Sequence, residues 1–224
     1  MTFKESQIAF SEARTNKYLR ACGGNKQKAM RLYKNNARLS QQFYGVLSLF
    51  EITLRNAINN HYLAQFGKDW IINQAAPAGL LEHEASEVHA TENAYRKAGV
   101  YSHDKMVGSF TFGFWTYLFT KHNYKVGGKT LLQIFPNRPK GTTQKMVYND
   151  ITAIREFRNR IAHHEPICFD KNGAVNTAYM QRHYNLMNAY LQYMGWNVEK
   201  MLQIIDAPDD NLLRVKEMEN GGSV

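Results

Sequence analysis

Residues 42–67 read QFYGVLSLFEITLRNAINNHYLAQFG. Phe43, Leu47, Phe50, Leu54 and Ile58 recur every three or four positions, the spacing that gathers side chains into one stripe along an α-helix. Gly67 is placed to end that helix, and Asn25 to cap it far upstream. A run of about 40 residues between them exceeds ordinary globular helix lengths. The sequence therefore predicts a break around Asn35–Ser40.

The same period extends in both directions. Residues 4–21 form a first helix, stopped by Gly23-Gly24, which accept the left-handed conformation a helix end requires. Residues 80–98 form another. SFTFGFWTYLFTK, residues 109–121, is the most aromatic piece and reads as a buried helix. After glycine- and proline-rich punctuation at Gly127-Gly128 and Pro136–Gly141, Thr142 or Thr143 caps a helix with inner residues Val147, Ile151, Ile154 and Ile161. It stops before Pro166, because the residue ahead of a proline avoids helical geometry. A last long helix spans Asn176–Met194, and a short one follows Gly195. The fold class is all-α, organised as one helical domain over residues 1–206 with basic N-terminal helices in 1–38, followed by a polar, frayed tail, 207–224.

The chain has 224 residues, 44% of them hydrophobic and 21% charged, values that exclude a disordered polymer and allow a full core. Cys22 and Cys168 have no metal or redox spacing. No stretch has the length of a membrane span and the N-terminus carries no apolar leader core, so a soluble cytoplasmic protein with no membrane contact is expected. The net charge is +9 and uneven. Residues 1–38 hold nine bases against Glu5 and Glu12, and residues 121–160 nine against Asp150 and Glu156, so each segment is +7. Such a balance favours a polyanionic partner, although a lysine-rich solvated helix face has the same composition.

The chemistry concentrates in IREFRNRIAHHEP, residues 154–166. On a helix, Arg155 lies one turn from Asn159, Asn159 from His163, and Arg160 from His164. Arg158 falls at the edge of the apolar stripe, where a guanidinium must be paired or open onto a cleft. His163 and His164 occupy the last turn, where the helix dipole favours an imidazolium. An arginine fork holds phosphate oxygens, and histidine transfers protons near neutral pH. Together they suit cleavage of a phosphodiester by the neighbouring ribose 2′-hydroxyl, a nucleophile that RNA has and DNA lacks. A plain structural reading also exists: an arginine paired to an acid, and a helix-terminal histidine bonding free carbonyls.

Arg158-Asn159-x3-His163 fits the R-x4-6-H motif of the HEPN superfamily. RNRIAHHEPI, residues 158–167, resembles its Abi-like (abortive infection) branch. The stretch 42–70, with Glu51, Arg55 and Asn56, is similar to that branch's N-terminal helix, and FTFGFWTYLF to its middle helix. The resemblance spans about residues 40–200 and is weakest over the first 38. It implies a HEPN-like helical bundle with additional N- and C-terminal helices, and a metal-independent endoribonuclease with no cofactor, serving phage defence or acting as a toxin. It also implies a homodimer with a composite site, and an antitoxin protein or small RNA as a possible further partner. Arg158, Asn159, His163 and His164 become the catalytic candidates, His164 as either partner or cap; Arg155, Arg160, Lys145, Arg55 and Asn56 become candidates for RNA contact.

Other readings compete. Arg55-Asn56-x4-His61 is a second match to the short motif, but Glu51 and Arg55 more simply form an ion pair and His61 lies at the core edge. Gly127-Gly128-Lys129-Thr130 lacks the first glycine of a phosphate loop, since residue 123 is asparagine. His83, Glu84, Glu87 and His89 make no convergent metal set. A non-catalytic RNA-binding or scaffold protein remains the alternative function.

Overall fold

The computed structural model describes residues 1–205 together with 215, 216, 218 and 219. It is all-α: among the described residues the sole β feature is an isolated antiparallel bridge between Phe169 and Val175. The chain divides into two compact units, residues 1–48, 157–187 and 199–224 in the first, and 49–156 with 188–198 in the second.

The first unit opens with α1 (Phe3–Phe10) and α2 (Glu12–Ala21). The sequence predicts one helix here, and the structure breaks it at Ser11, whose φ is 73°. Ser11 turns its hydroxyl onto the Arg14 N–H and starts a new helix, an instance of a serine side chain competing with the backbone ladder. A capping box, Thr2 with Glu5, starts α1. The opposite correction applies to α3 (Lys26–Phe66), which runs 41 residues without the expected break. Asn35 and Asn36 are both buried and spend their amides on tertiary partners. Asn36 Oδ1 accepts from the backbone N–H groups of Ile167 (2.9 Å) and Cys168 (3.2 Å). Asn35 Nδ2 donates to Met218 sulfur at 3.7 Å. The Asn36 oxygen, which could otherwise have capped a helix break, is taken by these tertiary donors, and the helix continues.

α3 contributes its residues up to Ser48 to this unit, α9 (Gln144–Ala162) those from Phe157, and α10 (Ala178–Tyr193) those up to Met187. Phe157 is fully buried, edge-on to Phe43 at 5.1 Å and stacked on His183 at 4.7 Å. Tyr18 packs against Tyr33 and Phe169, both at 5.0 Å. Each such ring contributes about 2–3 kcal/mol by leaving water. α11 (Val198–Leu202) enters this unit at Glu199. Most of the polar tail from 207 lies outside the described residues. The four that are described are helical: Val215 is buried, and Glu219 accepts from Thr177 N–H and hydroxyl at 3.0 and 2.8 Å.

The second unit has its own core, built on Phe50, Leu54, Ile58 and Tyr62 of α3 with Trp70, Trp115, Phe119, Phe135 and Ile151. α4 (Trp70–Asn73) and α5 (Ala85–Lys97) are followed by α6 (His103–Ser109), absent from the sequence reading. The aromatic stretch is buried as expected but makes only a six-residue helix, α7 (Phe112–Tyr117), and then α8 (Lys121–Val126). Thr111 and Thr120 each accept the N–H of the third residue of the following helix, Phe114 and Asn123, so the run is cut at both threonines. Thr143, not Thr142, caps α9, accepting from Met146 N–H at 3.3 Å. No helix among the described residues is long and apolar enough to cross a membrane.

Candidate active site

Five of the sequence-predicted residues belong to the end of α9 and the turn that follows it, in the first unit. Arg158 and Arg160 are half-buried, and Asn159, His163 and His164 exposed. Asn159 accepts the His163 N–H through its backbone carbonyl at 2.9 Å, so the two side chains are one turn apart.

The helix then closes in a Schellman motif: His164 N–H donates to Ile161 C=O and Glu165 N–H to Arg160 C=O, each at 2.9 Å. This geometry places one residue in the left-handed region, usually a glycine, and here it is His164, with φ 58°. A β-carbon there costs on the order of 1 kcal/mol. His164 is therefore the cap, as one of its expected roles has it, but through its backbone. Its imidazole stays in solvent, hydrogen-bonded to no other described residue.

Arg160 is committed locally. Its guanidinium lies 5.1 Å over the Tyr179 ring and its Nε 3.8 Å from Glu165. This contact orients the last turn more readily than it frees a fork for phosphate. Among the remaining candidates, all in the second unit, Arg55 Nε donates to Asn56 Oδ1 at 3.3 Å. Lys145 is exposed in the first turn of α9. Arg155 is half-buried with its Nε unpartnered. His61 bonds Thr130 Oγ1 at 2.9 Å and packs edge-on to Tyr62 at 5.0 Å. Burial pushes its pKa below the ordinary imidazole value, which disfavours the charged form a second site would use.

Beside the α9 terminus the first unit contains a cleft of about 730 Å³. Tyr33, Asn36, Ala37, Ser40, Gln41 and Tyr44 line it from α3, where they recur at three and four residues along one face. Arg14 and Tyr18 of α2 form a second wall, and Ile161, Ala162 and His164 the third. The sequence reading assigned no site role to the α2 and α3 residues of this cleft. Their trace was present in an unexplained exposed aromatic, Tyr44, on the polar side of the stripe, and in the excess of bases in the first 38 positions.

No group of three or more His, Cys, Asp or Glu side chains among the described residues is disposed to hold a metal ion; His83, expected to be unconvergent, lies 5.6 Å ring to ring from His122.

No curated protein and no solved structure matches the chain. The sequence profile of the family described as Abi-like protein matches residues 2–168. That match includes the basic N-terminal helices, where resemblance was expected to be weakest, and stops short of residues 169–200, where it was expected to continue. Covering well over half the chain and ending just past the paired histidines, it shows that the protein belongs to the Abi-like family.

Proposed function

We propose that this Abi-like protein is a metal-independent endoribonuclease of the HEPN type that acts in abortive infection or as a toxin. The supporting observation is the end of α9: two exposed histidines follow Arg158 and Asn159, and one of them holds a backbone conformation that glycine would adopt at lower cost. Ala78 and Lys129 hold the same left-handed conformation, so the support comes from the histidine pair beside Arg158 and Asn159 and not from the backbone strain alone.

In the proposed reaction, the imidazole of His163 takes the proton from a ribose 2′-hydroxyl. The 2′-oxygen bonds to the adjacent phosphorus as the P–O5′ bond breaks. His164 supplies the proton to the departing 5′-oxygen, leaving a 2′,3′-cyclic phosphate and a 5′-hydroxyl. Arg158 holds the negative charge that grows on the non-bridging oxygens, and Asn159 orients His163 from one turn away. A homodimer would present two such helix ends to one RNA strand, and an antitoxin protein or small RNA would restrain the activity.

The test is cleavage of RNA in EDTA by the wild type, His163→Ala and Arg158→Ala. Cuts ending in 2′,3′-cyclic phosphate, reduced at least 100-fold in both variants, support the reading. RNA that stays intact while binding remains salt-sensitive favours a non-catalytic RNA-binding protein instead. Sedimentation of the same samples tests the dimer.

A further inference from the structure

We propose that the cleft lined by Arg14, Tyr18, Asn36, Ser40, Tyr44 and His164 is a nucleotide subsite, in which a base of the RNA strand stacks on Tyr44 while its phosphate meets Arg14. The inference deepens the ribonuclease reading and rests on RNA being the substrate.

The cleft is built in layers. Its floor is buried: Tyr18 is 2% exposed, Ile161 5% and Asn36 7%. Its mouth is open, with Tyr44 54% exposed and Ala37, Gln41 and His164 also at the surface. A volume of about 730 Å³ falls in the range of sites that enclose a small organic ligand.

The polar groups are arranged for recognition. Asn36 spends Oδ1 on the backbone N–H groups of Ile167 and Cys168, which fixes the orientation of its amide. Its Nδ2 donors have no partner among the described residues. Ser40 donates its hydroxyl to Asn36 C=O at 3.0 Å, so the same oxygen retains acceptor capacity. Tyr18 adds a hydroxyl that is neutral near physiological pH like any tyrosine's, and burial only shifts its pKa further up. A fixed donor pair beside a fixed acceptor is the pattern that reads the edge of a nucleobase, and an exposed tyrosine ring provides the stacking surface.

The charge is also suitable. Arg14 is half-buried at the cleft wall and enters no ion pair among the described residues. A guanidinium kept uncommitted at an aromatic cleft fits a phosphate bidentately. His164 belongs to the wall and is the chain neighbour of His163, so a base seated here is close along the strand to the linkage being cut.

The experiment measures binding apart from cleavage. Fluorescently labelled 2′-O-methyl tetranucleotides, which lack the attacking hydroxyl, are titrated against the full chain, with 5′-mononucleotides as competitors. Tyr44→Ala and Arg14→Gln should each weaken tetranucleotide binding about tenfold. Tyr44→Phe should stay near wild type, as should Lys97→Gln, which removes one charge from an exposed position outside the cleft. The four homopolymers should bind unequally, and Asn36→Asp should change their order.

Absent binding, or equal binding by wild type, Tyr44→Ala and Arg14→Gln, overturns the subsite. So does a cleft that takes mononucleotides without competition from RNA, since it would then serve a free nucleotide. Failure of the ribonuclease reading is seen separately, as cleavage insensitive to His163→Ala. A chain that cuts RNA through His163 but binds unchanged in Tyr44→Ala loses the subsite alone.

Discussion

Replacing His164 with glycine should make the protein more stable and less active. His164 is the left-handed residue of the Schellman turn, with φ 58° and both turn hydrogen bonds at 2.9 Å made by backbone atoms. Those bonds survive the substitution. Removing the β-carbon relieves about 1–2 kcal/mol of local strain. Glycine also gives the unfolded chain more freedom, which offsets about 0.5–1 kcal/mol. The imidazole is exposed and makes no hydrogen bond to the described residues, so little else is lost.

The net expectation is a gain of about 0.5–1 kcal/mol, seen as a higher urea midpoint at unchanged slope and a melting temperature raised by about 1–4 °C. His164→Ala retains the strain and should gain nothing. Cleavage measured on the same His164→Gly sample should fall at least tenfold, so activity and stability move in opposite directions. A His164→Gly variant that unfolds more easily would refute the argument, because the side chain would then be holding the turn. A variant that is more stable and fully active would remove His164 from the chemistry while leaving the turn as described.

Asn36→Ala should cost about 2–4 kcal/mol in urea denaturation, because the Ile167 and Cys168 N–H groups lose their shared acceptor in a buried setting; Asn36→Asp, which keeps the oxygen, should cost less. His61 has a folded pKa below its unfolded value, so the unfolded state binds more protons and stability declines as pH falls through about 6.5 and below. His61→Gln should therefore lose less stability than the wild type between pH 8 and pH 5, and an identical decline in both proteins would contradict the assignment. Phe157→Ala, emptying a fully buried site against Phe43 and His183, should cost about 3–5 kcal/mol.

Several features were readable from spacing because they are local. Phe43, Leu47, Phe50, Leu54 and Ile58 are all buried, and a 3.6-residue period needs no partner to be recognised. Arg158 and Asn159 lie in the last turns of α9 and His163 just past its end, so their spacing along the helix axis was written in their numbering. The end of that helix ahead of Pro166 was equally local.

Other decisions depended on residues distant in the chain. Asn35 and Asn36 have the composition of a helix break, yet α3 continues, because residues more than 130 positions away donate backbone N–H groups to the Asn36 amide oxygen. Ser11 and Thr111 lack such partners, turn their oxygens onto the nearby backbone, and cut the helices that periodicity alone would have continued. The cleft is assembled from α2, α3 and the end of α9, three segments that have no common period.

Sequence by itself determined the helical class, the stripes that face inward and the motif at the end of α9, since each follows from side-chain spacing on a single regular element. Tertiary structure alone decided where polar side chains find their hydrogen-bond partners, and hence which helices break, which continue, and which polar groups are left facing a cavity. The physical reason is that a buried amide or hydroxyl must be satisfied somewhere, and the nearest competitor to a local partner is one brought close by folding.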